Sequence, residues 1–388
     1  MVPGDNVDLY DIDTLLRKEE IAFREKVRAF VDEECMPVIA EHFDKATFPE
    51  QLIPRMAELG LFGLHVDGYG CSRNSHTVYG LICQELSRCD SGLRALFSVQ
   101  NSLVMFPICI FGSEKQRRKW LPDMARGDVI GCFGLSEPGF GSNPAGMEMR
   151  AQKNKNGFVL NGKKMWITNG TIAKVAIIWA KCDGEIRGFL VETDRPGFRA
   201  TPIQRKFSYR TVPTALIDLK DCAIDADSIL PGAKGLKSIF ECLNFARYGV
   251  ACGAVGSAVA CYQAARAFAL KREVFDRAIA GYQLVQDRLA RMLVEITKAQ
   301  LIGYHLGRLL DAHKARPAQI SLAKMNNVKE AIKIARIARD ILGARGILAD
   351  HHVIRHLCDL EAISALEGTD SMHTLVLGQE ITGIPAFR

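Results

Sequence analysis

The sequence predicts a protein of three parts: an α-helical N-terminal domain, a middle domain of antiparallel β-strands and a C-terminal domain built as a four-helix bundle. Three observations support this order. A helical period of apolar residues fills about the first 125 positions, short apolar runs separated by turn dipeptides follow, and the helical period then returns. A chain of 388 residues is long enough for two or three domains. We place the domains at residues 1–128, 129–235 and 236–388.

The N-terminal part shows the periodicity of amphipathic helices. Within residues 17–34, Phe23, Val27 and Phe30 recur at steps of three and four, and residues 51–61 and 77–88 repeat the pattern. Side chains at these steps share one face of a helix. We therefore expect several helices, each with one buried face.

The middle part is typical of short strands joined by tight turns. Asn156-Gly157, Asn161-Gly162 and Asp183-Gly184 are dipeptides common in hairpin turns, and they flank apolar runs such as VAIIWAKC at 175–182. We expect a strand on each side of each dipeptide, arranged in an antiparallel sheet.

The C-terminal part predicts long packed helices. An apolar stripe follows residues 325–341, with basic residues on the opposite side. The stretch 248–270 comes closest to a membrane span, but Gln263 and Arg266 keep it below the ~18 continuous apolar positions that a span requires. We expect a buried helix there and no membrane span.

Composition limits the classes of function. The 50 Lys and Arg against 44 Asp and Glu give a formal charge of +6, without a long basic run. This mild charge argues against a nucleic-acid-binding protein and leaves a polyanionic small molecule open. Twelve cysteines without a C-x-x-C pair indicate reduced core cysteines. The first residues lack the pattern of a signal or transit peptide, so we expect a cytoplasmic protein, with a processed mitochondrial matrix protein as the alternative.

Two glycine patterns resemble nucleotide-binding motifs but lack a required part. The run from Gly157 to Lys164 has the spacing of a phosphate-binding loop without the Ser or Thr that follows its lysine. Gly253 and Gly256 precede no strand–helix crossover, so close helix packing explains them.

A histidine pair also resembles part of a metal site. His352 and His356 lie four residues apart with Asp359 nearby, but the glutamate of the metalloprotease motif is absent. We expect no metal site, and we interpret these histidines as helix-surface or subunit-contact residues.

Two runs at the beginning of the β region are far more specific. Residues 133–144 read FGLSEPGFGSNP, and residues 165–169 read MWITN. Together they resemble the signature of the acyl-CoA dehydrogenase family, in which Ser/Thr-Glu, three residues and Gly-Ser-Asp/Asn precede a Trp-Ile-Thr-Asn segment. The resemblance extends along the chain, through KREVFDRAIAGYQ at 271–283, ILGARG at 341–346 and Glu367-Gly368-Thr369. It implies the helical, β and helical domain order given above.

The resemblance implies FAD as the cofactor. A flavin is an apolar ring system with polar edges, which backbone N–H groups, hydroxyls and an aromatic face can bind. The residues expected around the flavin ring are Phe133, Leu135, Ser136, Ser142, Trp166, Ile167, Thr168 and Thr369. A second set belongs to the pyrophosphate and adenosine end of FAD, and within it Arg272 and Gln283 are expected to reach the flavin of a neighbouring subunit, which implies a homotetramer. This set is Arg272, Phe275, Gln283, Gly343 and Gly346.

The second set contains two departures from the family. The family commonly has a Phe-Gly pair where this chain has Phe275-Asp276, and a glycine-rich loop where it has Gly343-Ala344-Arg345-Gly346. The added bulk and charge either loosen the adenosine end of the flavin or let Arg345 contact a phosphate. The sequence leaves both alternatives open.

Glu367 matches the catalytic carboxylate of the family. The reaction requires a base for the α-proton and an acceptor for the β-hydride. An apolar setting, closed further by a bound thioester, should raise the pKa of this carboxylate. In the family, the ribityl hydroxyl of the flavin and the backbone N–H of the base polarise the thioester carbonyl. The residues expected to bind the substrate are Arg94, Ser142, Asn244, Arg247 and Gly368.

The N-terminal domain indicates which acyl group is bound. Within the family, the run DSGLR at 90–94 and SVQNSL at 98–103 resemble glutaryl-CoA dehydrogenase, in which the arginine matching Arg94 binds the distal carboxylate of the substrate. An arginine facing an apolar pocket is costly unless an anion pairs with it. A structural salt bridge is the alternative role for Arg94.

Four residues depart from the decarboxylating members of that group. Those enzymes generally have Glu, Ser, Thr and Tyr where this chain has Ser87, Ala95, Ser136 and Leu366. The loss of a Glu and a Tyr makes the pocket drier and roomier. We expect oxidation to be retained, and we leave decarboxylation and the identity of the diacid open.

The leading hypothesis is an FAD-dependent α,β-dehydrogenase of glutaryl-CoA or a related dicarboxylyl-CoA, with loss of CO2 to give crotonyl-CoA as an open step. A dehydrogenase or oxidase of neutral short-chain acyl-CoA, or of chains on an acyl carrier protein, is the second hypothesis. A non-catalytic flavin-binding paralogue is the third. A dehydrogenase also implies electron-transfer flavoprotein as its electron acceptor.

Overall fold

The computed structural model describes residues 8–386, which begin with the predicted helical region. Val27 and Phe30 are buried, as the helical period predicts. Two π-helical turns, Val31–Cys35 and Val99–Met105, continue the first and fifth helices. The helices are α1 (Lys18–Phe30), α2 (Met36–Lys45), α3 (Ile53–Glu58), α4 (His76–Cys89), α5 (Ser91–Ser98), α6 (Phe106–Phe111) and α7 (Glu114–Ala125).

The middle region is an eight-stranded sheet. Its strands are β1 (Gly131–Gly134), β2 (Arg150–Lys153), β3 (Gly157–Ile167), β4 (Val175–Cys182), β5 (Glu185–Glu192), β6 (Phe198–Pro202), β7 (Ala215–Asp225) and β8 (Ile229–Lys234). The order is β6-β7-β3-β2-β4-β5-β8, with β1 beside β4. Most pairs are antiparallel as predicted. The β1–β4 pair is parallel, because a long connection rather than a hairpin links these two strands.

One predicted turn is wrong. Asn161-Gly162 lies inside β3, which continues without interruption to Ile167. The pairing of β3 with β7 shifts register at Gly162, so the dipeptide marks a β-bulge. A Cβ at Gly162 would lie 2.9 Å from Cα of Met149, which explains the glycine. Asp183-Gly184 does form the predicted turn, between β4 and β5.

The C-terminal region is the predicted helical bundle. Its four packed helices are α8 (Gly235–Lys271), α9 (Gln283–Asp311), α10 (Pro317–Ile341) and α11 (Val353–Ala365), and a fifth, α12 (Asp370–Thr382), packs on α10. The predicted buried helix at 248–270 is part of α8. A short hairpin of β9 (Glu273–Val274) and β10 (Arg277–Ala278) separates α8 from α9. The domain limits at 128 and 235 stay predictions.

Helices α4 and α8 approach each other closely through glycines of α8. A Cβ at Gly256 would lie 1.9 Å from the carbonyl oxygen of Gln84, and one at Gly253 would lie 2.7 Å from Oγ of Ser87. These distances confirm the packing interpretation of Gly253 and Gly256. The close approach brings the end of α4 and the adjoining α5 against α8.

The cysteines and the apolar helices have structural roles. All twelve cysteines are free, and nine of them are buried. By length and composition, the helical stretch Ser91–Phe111 could cross a membrane, but 83% of its most apolar window is buried inside the protein. Such a stretch is also typical of a core helix, so its composition is weak evidence for a span.

The histidine pair lies partly inside the fold. His356 and Asp359 on α11 are each only 1% exposed, so the expectation of a surface or subunit-contact position is wrong for His356. His352 contacts Arg355, which pairs with Asp90 at 3.1 Å. Burial lowers the pKa of both histidines, and residues 8–386 contain no cluster of potential ligands suited to a metal ion.

Candidate active site

The loop after α11 carries the predicted base in an unusual backbone conformation. Glu367 has φ of +54° and Gly368 has φ of +106°. The left-handed region costs a residue with a side chain about 1–2 kcal/mol. A Cβ at Gly368 would lie 3.0 Å from Nε2 of His373 and 3.5 Å from Nη2 of Arg247. Glycine is therefore required at 368, and the surroundings must hold Glu367 in place.

Arg247 on α8 holds the backbone of Glu367, the predicted base. Its Nε–H donates to the carbonyl oxygen of Glu367 at 2.7 Å, and its Nη1 donates to Oδ1 of Asn244 at 3.3 Å. The structure thus brings the predicted residues Asn244 and Arg247 to Glu367. Their observed contacts position the base, and their predicted contact with substrate stays a prediction.

Lys324 on α10 holds the same loop from the other side. Its ammonium donates to the carbonyl oxygens of Gly368 at 2.7 Å and Ser364 at 3.3 Å. Lys324 is 1% exposed, and burial lowers its pKa to about 8. Arg247 and Lys324 therefore fix three carbonyl groups around the base through charge-assisted hydrogen bonds.

The carboxylate of Glu367 is free to react. Its Oε2 is shielded from solvent and has no hydrogen-bond partner. Burial raises the pKa of Glu367, and the nearby cations Arg94, Arg247 and Lys324 offset only part of this effect. Its backbone N–H donates to no acceptor within residues 8–386. A desolvated carboxylate with a raised pKa is a stronger base than one in water.

Arg94 lies on α5 and is 2% exposed. Its guanidinium donates from Nη2 to the hydroxyl of Tyr209, and its Nε is buried without an acceptor. Across the described part of the chain, it forms no ion pair with a carboxylate, although Glu367 and Tyr209 lie close enough to raise its pKa against the effect of burial. Within residues 8–386, no carboxylate is therefore in salt-bridge contact with Arg94, and the role of Arg94 in substrate binding stays a prediction.

Tyr209 lies in the connection between β6 and β7, in the left-handed region with φ of +53°. Its backbone N–H donates to Oδ1 of Asp359 on α11 at 2.7 Å. Two residues later, the hydroxyl of Thr211 donates to Oδ1 of Asp90 at 2.6 Å, at the start of α5. The loop of the middle domain is thereby fixed to both helical domains.

Three of the four departures line the surroundings of Arg94. Oγ of Ser87 is buried without a partner, and it faces the same glycine, Gly253, as Arg94 does. Ala95 and Leu366 belong to one apolar cluster, which also contains Tyr209. Ala95 and Leu366 therefore add no polar group to this region, in which Cys83 and Glu367 lie close enough to affect the pKa of Arg94.

The two signature runs of the β region lie side by side. The N–H of Met165 donates to the carbonyl of Ser136 at 2.8 Å, and the ammonium of Lys164 donates to the carbonyl of Leu135 at 3.0 Å. Lys164 also pairs with buried Glu137 at 2.8 Å. Burial lowers the pKa of Lys164 to about 8. Burial would raise the pKa of Glu137, but the hydrogen bonds that Glu137 accepts outweigh this effect and lower its pKa.

These runs form a surface that fits a flavin ring. Trp166 at the end of β3 has φ of +64° and is 61% exposed, so its aromatic face is available to a ligand. The hydroxyls of Ser136 and Thr168 have no hydrogen-bond partner within residues 8–386. Phe133, Leu135 and Ile167 are buried beneath this surface.

Two further residues of the flavin set lie in flanking segments. Ser142 is exposed in the turn that follows β1. The hydroxyl of Thr369 accepts the N–H of Met372 at 3.2 Å and so begins α12, directly after the base. The structure gives no direct contact between either residue and the surface formed by Ser136, Trp166 and Thr168, which we call the Trp166 surface.

The second cofactor set lies at the opposite end of α8. Arg272 follows α8, 25 positions after Arg247, which corresponds to a rise of about 38 Å. Phe275 is 87% exposed, and Gln283 begins α9 on the surface. Within one chain, the structure does not bring these residues to Glu367.

The loop after α10 belongs to the same end. Gly343 has φ of +57°, and a Cβ at Gly346 would lie 2.3 Å from the carbonyl oxygen of Arg339. Arg345 lies over the ring of Phe268 near the end of α8, at 5.9 Å from its centroid. This position of Arg345 is a contact that the sequence did not predict.

Sequence reasoning missed Tyr209 and Lys324. Lys324 has a signal, since it lies three residues after buried Ser321 and four before buried Val328, on the apolar face of its helix. Tyr209 has no local signal, because its role depends on a loop that meets α5 through the tertiary fold.

Comparisons with known proteins match this arrangement over nearly the whole chain. Models of the acyl-CoA dehydrogenase N-terminal, middle and C-terminal domains match residues 17–128, 132–222 and 233–382. The chain belongs to the acyl-CoA dehydrogenase family. This assignment confirms the predicted fold, the FAD cofactor and an oxidoreductase that acts on a CH–CH bond.

Individual relatives of this acyl-CoA dehydrogenase differ in their acyl groups. A glutaryl-CoA dehydrogenase from Mycobacterium smegmatis, solved in complex with FADH2, is 48% identical, with a TM-score of 0.97 over 98% of this chain and 99% of that chain. The human mitochondrial short-chain specific acyl-CoA dehydrogenase is 32% identical over 358 residues, covering 90% of this chain and 87% of that protein. A chain in the structure of the electron transferring flavoprotein of Acidaminococcus fermentans is 29% identical, with a TM-score of 0.91 over 95% of this chain and 98% of that one.

Proposed function

We propose that this enzyme oxidises the α,β bond of a CoA thioester that bears a distal carboxylate, glutaryl-CoA or a related dicarboxylyl-CoA. The observation that supports this most is Arg94, a buried guanidinium that forms no ion pair with a carboxylate of residues 8–386. Glu367 lies near enough to act on the pKa of Arg94 but forms no ion pair with it, and a buried charge without a paired counterion costs several kcal/mol. An anionic group on the ligand would provide the missing counterion.

The residues of the chain divide the remaining chemistry. Glu367 removes the α-proton with its free Oε2, and its free backbone N–H donates to the thioester carbonyl. Arg247 and Lys324 keep this carboxylate and this N–H in place. When bound, FAD supplies the acceptor for the β-hydride. The Trp166 surface with Ser136 and Thr168 would hold its ring.

Anaerobic reduction of the holoenzyme tests the proposal directly. We expect glutaryl-CoA, or a diacid thioester one or two carbons shorter or longer, to bleach the flavin absorbance and to support turnover with an artificial acceptor. If no diacid thioester bleaches the flavin while butyryl-CoA does, the proposed substrate class is wrong.

Substitution of Arg94 tests the role assigned to it. We expect Arg94→Met to lower kcat/KM for glutaryl-CoA by about 30- to 1000-fold, because one partner of a desolvated charge pair is removed. The value for butyryl-CoA should stay unchanged or rise. Arg94→Lys keeps the charge, so its kcat/KM for glutaryl-CoA should lie between the values of the parent enzyme and of Arg94→Met. Equal losses on both thioesters would instead make Arg94 structural.

The fate of the carboxylate depends on a proton transfer to Cγ. Loss of CO2 from a glutaconyl thioester breaks the bond between Cγ and the carboxyl carbon and leaves a dienolate, which must then be protonated at Cγ. Protonated Glu367 can supply this proton, so the polar groups missing at Ser87 and Leu366 are not strictly required. Mass spectrometry of the product distinguishes crotonyl-CoA from the unsaturated diacid thioester.

A neutral short-chain thioester is the second candidate substrate. The apolar cluster that contains Ala95 and Leu366 favours it, because this wall offers little to a second carboxylate. A higher kcat/KM for butyryl-CoA or for an acyl chain on carrier protein than for any diacid thioester would support this candidate. Oxygen consumption separates an oxidase from a dehydrogenase.

We also propose a homotetramer that passes electrons to electron-transfer flavoprotein. Phe275, Leu284 and Ile347 are 87, 77 and 62% exposed, and such apolar side chains suit a contact between subunits. Light scattering should give four times the chain mass of 42.9 kDa. Turnover with purified electron-transfer flavoprotein tests the acceptor.

A further inference from the structure

We propose that Tyr209 is a second ligand of the substrate's distal carboxylate and sets the preference for diacid over neutral thioesters. This inference rests on the proposed function. It adds to Arg94 a residue that comes from a different domain and from a part of the chain with no recognisable motif.

The Arg94–Tyr209 pair offers only donors to a ligand. The guanidinium uses one N–H to reach the oxygen of Tyr209, and its Nε has no acceptor. The O–H of Tyr209 donates to no group within residues 8–386. Guanidinium has no acceptor atoms, and the phenol oxygen is already occupied. A carboxylate, which only accepts, is the complementary ligand.

The phenol is held firmly before any ligand arrives. The backbone N–H of Tyr209 is bound by Asp359, and the next residue, Arg210, donates to the carbonyls of Phe43 and Asp44 at 2.8 Å each. The loop therefore loses little conformational freedom when a ligand binds. Burial also raises the pKa of Tyr209, so its hydroxyl keeps the proton that it would donate.

The phenol compensates for a missing group in the same wall. Leu366, immediately before the base, and Ala95, immediately after Arg94, pack in the cluster that contains Tyr209. Neither can bind a carboxylate. Tyr209 supplies a hydroxyl to this wall from the β6–β7 connection, and it lies close enough to Glu367 for that carboxylate to contribute to its raised pKa.

Removal of the hydroxyl alone tests the inference. We expect Tyr209→Phe to lower kcat/KM for glutaryl-CoA by about 10- to 100-fold, the usual effect of one hydrogen bond to a charged group. The value for butyryl-CoA should change less than about twofold. Tyr304→Phe is the matched control, since Tyr304 is a buried tyrosine in a separate cluster with Ile12 and Leu81. It should leave both values unchanged.

Binding without turnover gives a second readout. In a Glu367→Gln background, calorimetry should show that Tyr209→Phe weakens glutaryl-CoA by about 10- to 100-fold and leaves butyryl-CoA unchanged. The double variant with Arg94→Met and Tyr209→Phe should weaken glutaryl-CoA binding by less than the product of the two separate fold-changes, because both residues act on one carboxylate. Independent effects would overturn the inference.

The outcomes separate this inference from the proposed function. If Arg94→Met discriminates between the two thioesters and Tyr209→Phe does not, Tyr209 is structural and the proposed function stands. If diacid thioesters are neither bound nor oxidised by the parent enzyme, the proposed function itself is wrong. Unfolding temperatures check that the variants fold. If Tyr209→Phe does not fold, Tyr209→Leu carries the same expectations.

Discussion

Glu367 illustrates how the neighbours of one residue set its conformation and its pKa. Its positive φ and its unpartnered carboxylate oxygen both oppose folding. Arg247 and Lys324 offset these costs with hydrogen bonds to the carbonyls of Glu367 and Gly368. The same two cations moderate the raised pKa of the base. The loop therefore couples the position of the carboxylate to its proton affinity.

Replacement of the base tests its role. We expect Glu367→Gln to lower kcat for any thioester substrate by about 10³- to 10⁴-fold, because an amide cannot accept the α-proton. Bound FAD and substrate affinity should change little. Glu361→Gln, at an exposed position on α11, is the control. Near-normal turnover by the Glu367→Gln variant would place the base elsewhere.

The raised pKa of Glu367 also predicts a dependence of stability on pH. The folded chain binds this proton more tightly than the unfolded chain, so stability falls as pH rises through the folded pKa. Glutamine does not ionise, so Glu367→Gln should remove this loss of stability at high pH. We expect the variant to unfold at a higher temperature than the parent chain at about pH 8 and at a similar temperature at about pH 4. A lower unfolding temperature at about pH 8 would contradict the burial argument.

Lys324 provides a separate test through the pH profile. Its charge lowers the pKa of Glu367, so Lys324→Met should raise that pKa and move the acidic limb of the kcat/KM profile to higher pH. Activity should also fall about tenfold near neutral pH, because the loop loses two tethers. Lys324→Arg should keep much of the parental activity. Lys329→Met, at an exposed position, should change neither the activity nor the pH profile. An unshifted profile in Lys324→Met would show that the lysine only stabilises the fold.

The residues that sequence could predict are those in a local motif. Glu367, Gly368 and Thr369 are recognisable as a tripeptide, and Trp166 and Thr168 as part of a run. Lys324 has only the indirect signal of a lysine on the apolar face of a helix, and Tyr209 has none, because both contact groups from distant positions in the chain. Only the tertiary structure shows the contacts on which their proposed roles rest.

At the scale of elements, the contact between α4 and α8 fixes the geometry around Arg94. Gly253 leaves room for Ser87 and for the side chain of Arg94, and Gly256 leaves room for the backbone of α4. A side chain at either position would push α4 away from the helix that carries Arg247. The spacing of the two helices therefore affects the distance between Arg94 and the loop that carries Glu367.

Two glycine substitutions test this contact. Gly256→Ala would place a methyl group 1.9 Å from a backbone oxygen, so we expect it to destabilise the protein by about 1–3 kcal/mol or more. Gly378→Ala on α12 meets no atom within 4 Å and should stabilise by about 0.5–1 kcal/mol. Urea unfolding measures both. A neutral effect of Gly256→Ala would mean that the helices can separate without cost.

The sequence could predict the helices and strands that show a clear periodicity, but it could not predict which strands pair with each other. The stripe at 325–341 lies on α10, and the apolar run at 175–182 is β4. Asn161-Gly162 has the composition of a turn but forms a bulge, because β7 pairs with both halves of β3 and keeps the strand continuous. A single dipeptide cannot reveal such a partner 50 or more residues away.

At the scale of the whole molecule, the residues that we propose to contact the substrate come from three regions. Arg94 lies in the N-terminal helices, Tyr209 in the β region, and Glu367 in the C-terminal helices. The buried pair of Asp90 and Arg355 joins the two helical regions beside them. Displacement of any one region therefore changes the distance between Glu367 and the Arg94–Tyr209 pair.

The cofactor residues predict a further division, between subunits. Arg272 is about 38 Å along α8 from Arg247, too far to reach a flavin beside Glu367 of its own chain. We expect Arg272→Ala to lose FAD, and exposed Arg291→Ala on α9 to retain it. This expectation depends on the proposed homotetramer, in which Arg272 contacts a neighbour's flavin.

Mixed oligomers test that division. In a Glu367→Gln and Arg272→Ala mixture, the Arg272→Ala subunit still has its base, and the Glu367→Gln subunit still has its arginine. If Arg272 serves a neighbour, co-expression of the two inactive variants should restore about a quarter of the parental activity, because half of the pairs are mixed and each mixed pair contains one complete site. Co-expression of Glu367→Gln with itself should restore none. Absence of recovery in mixed oligomers confirmed by mass would show that Arg272 does not act across the interface.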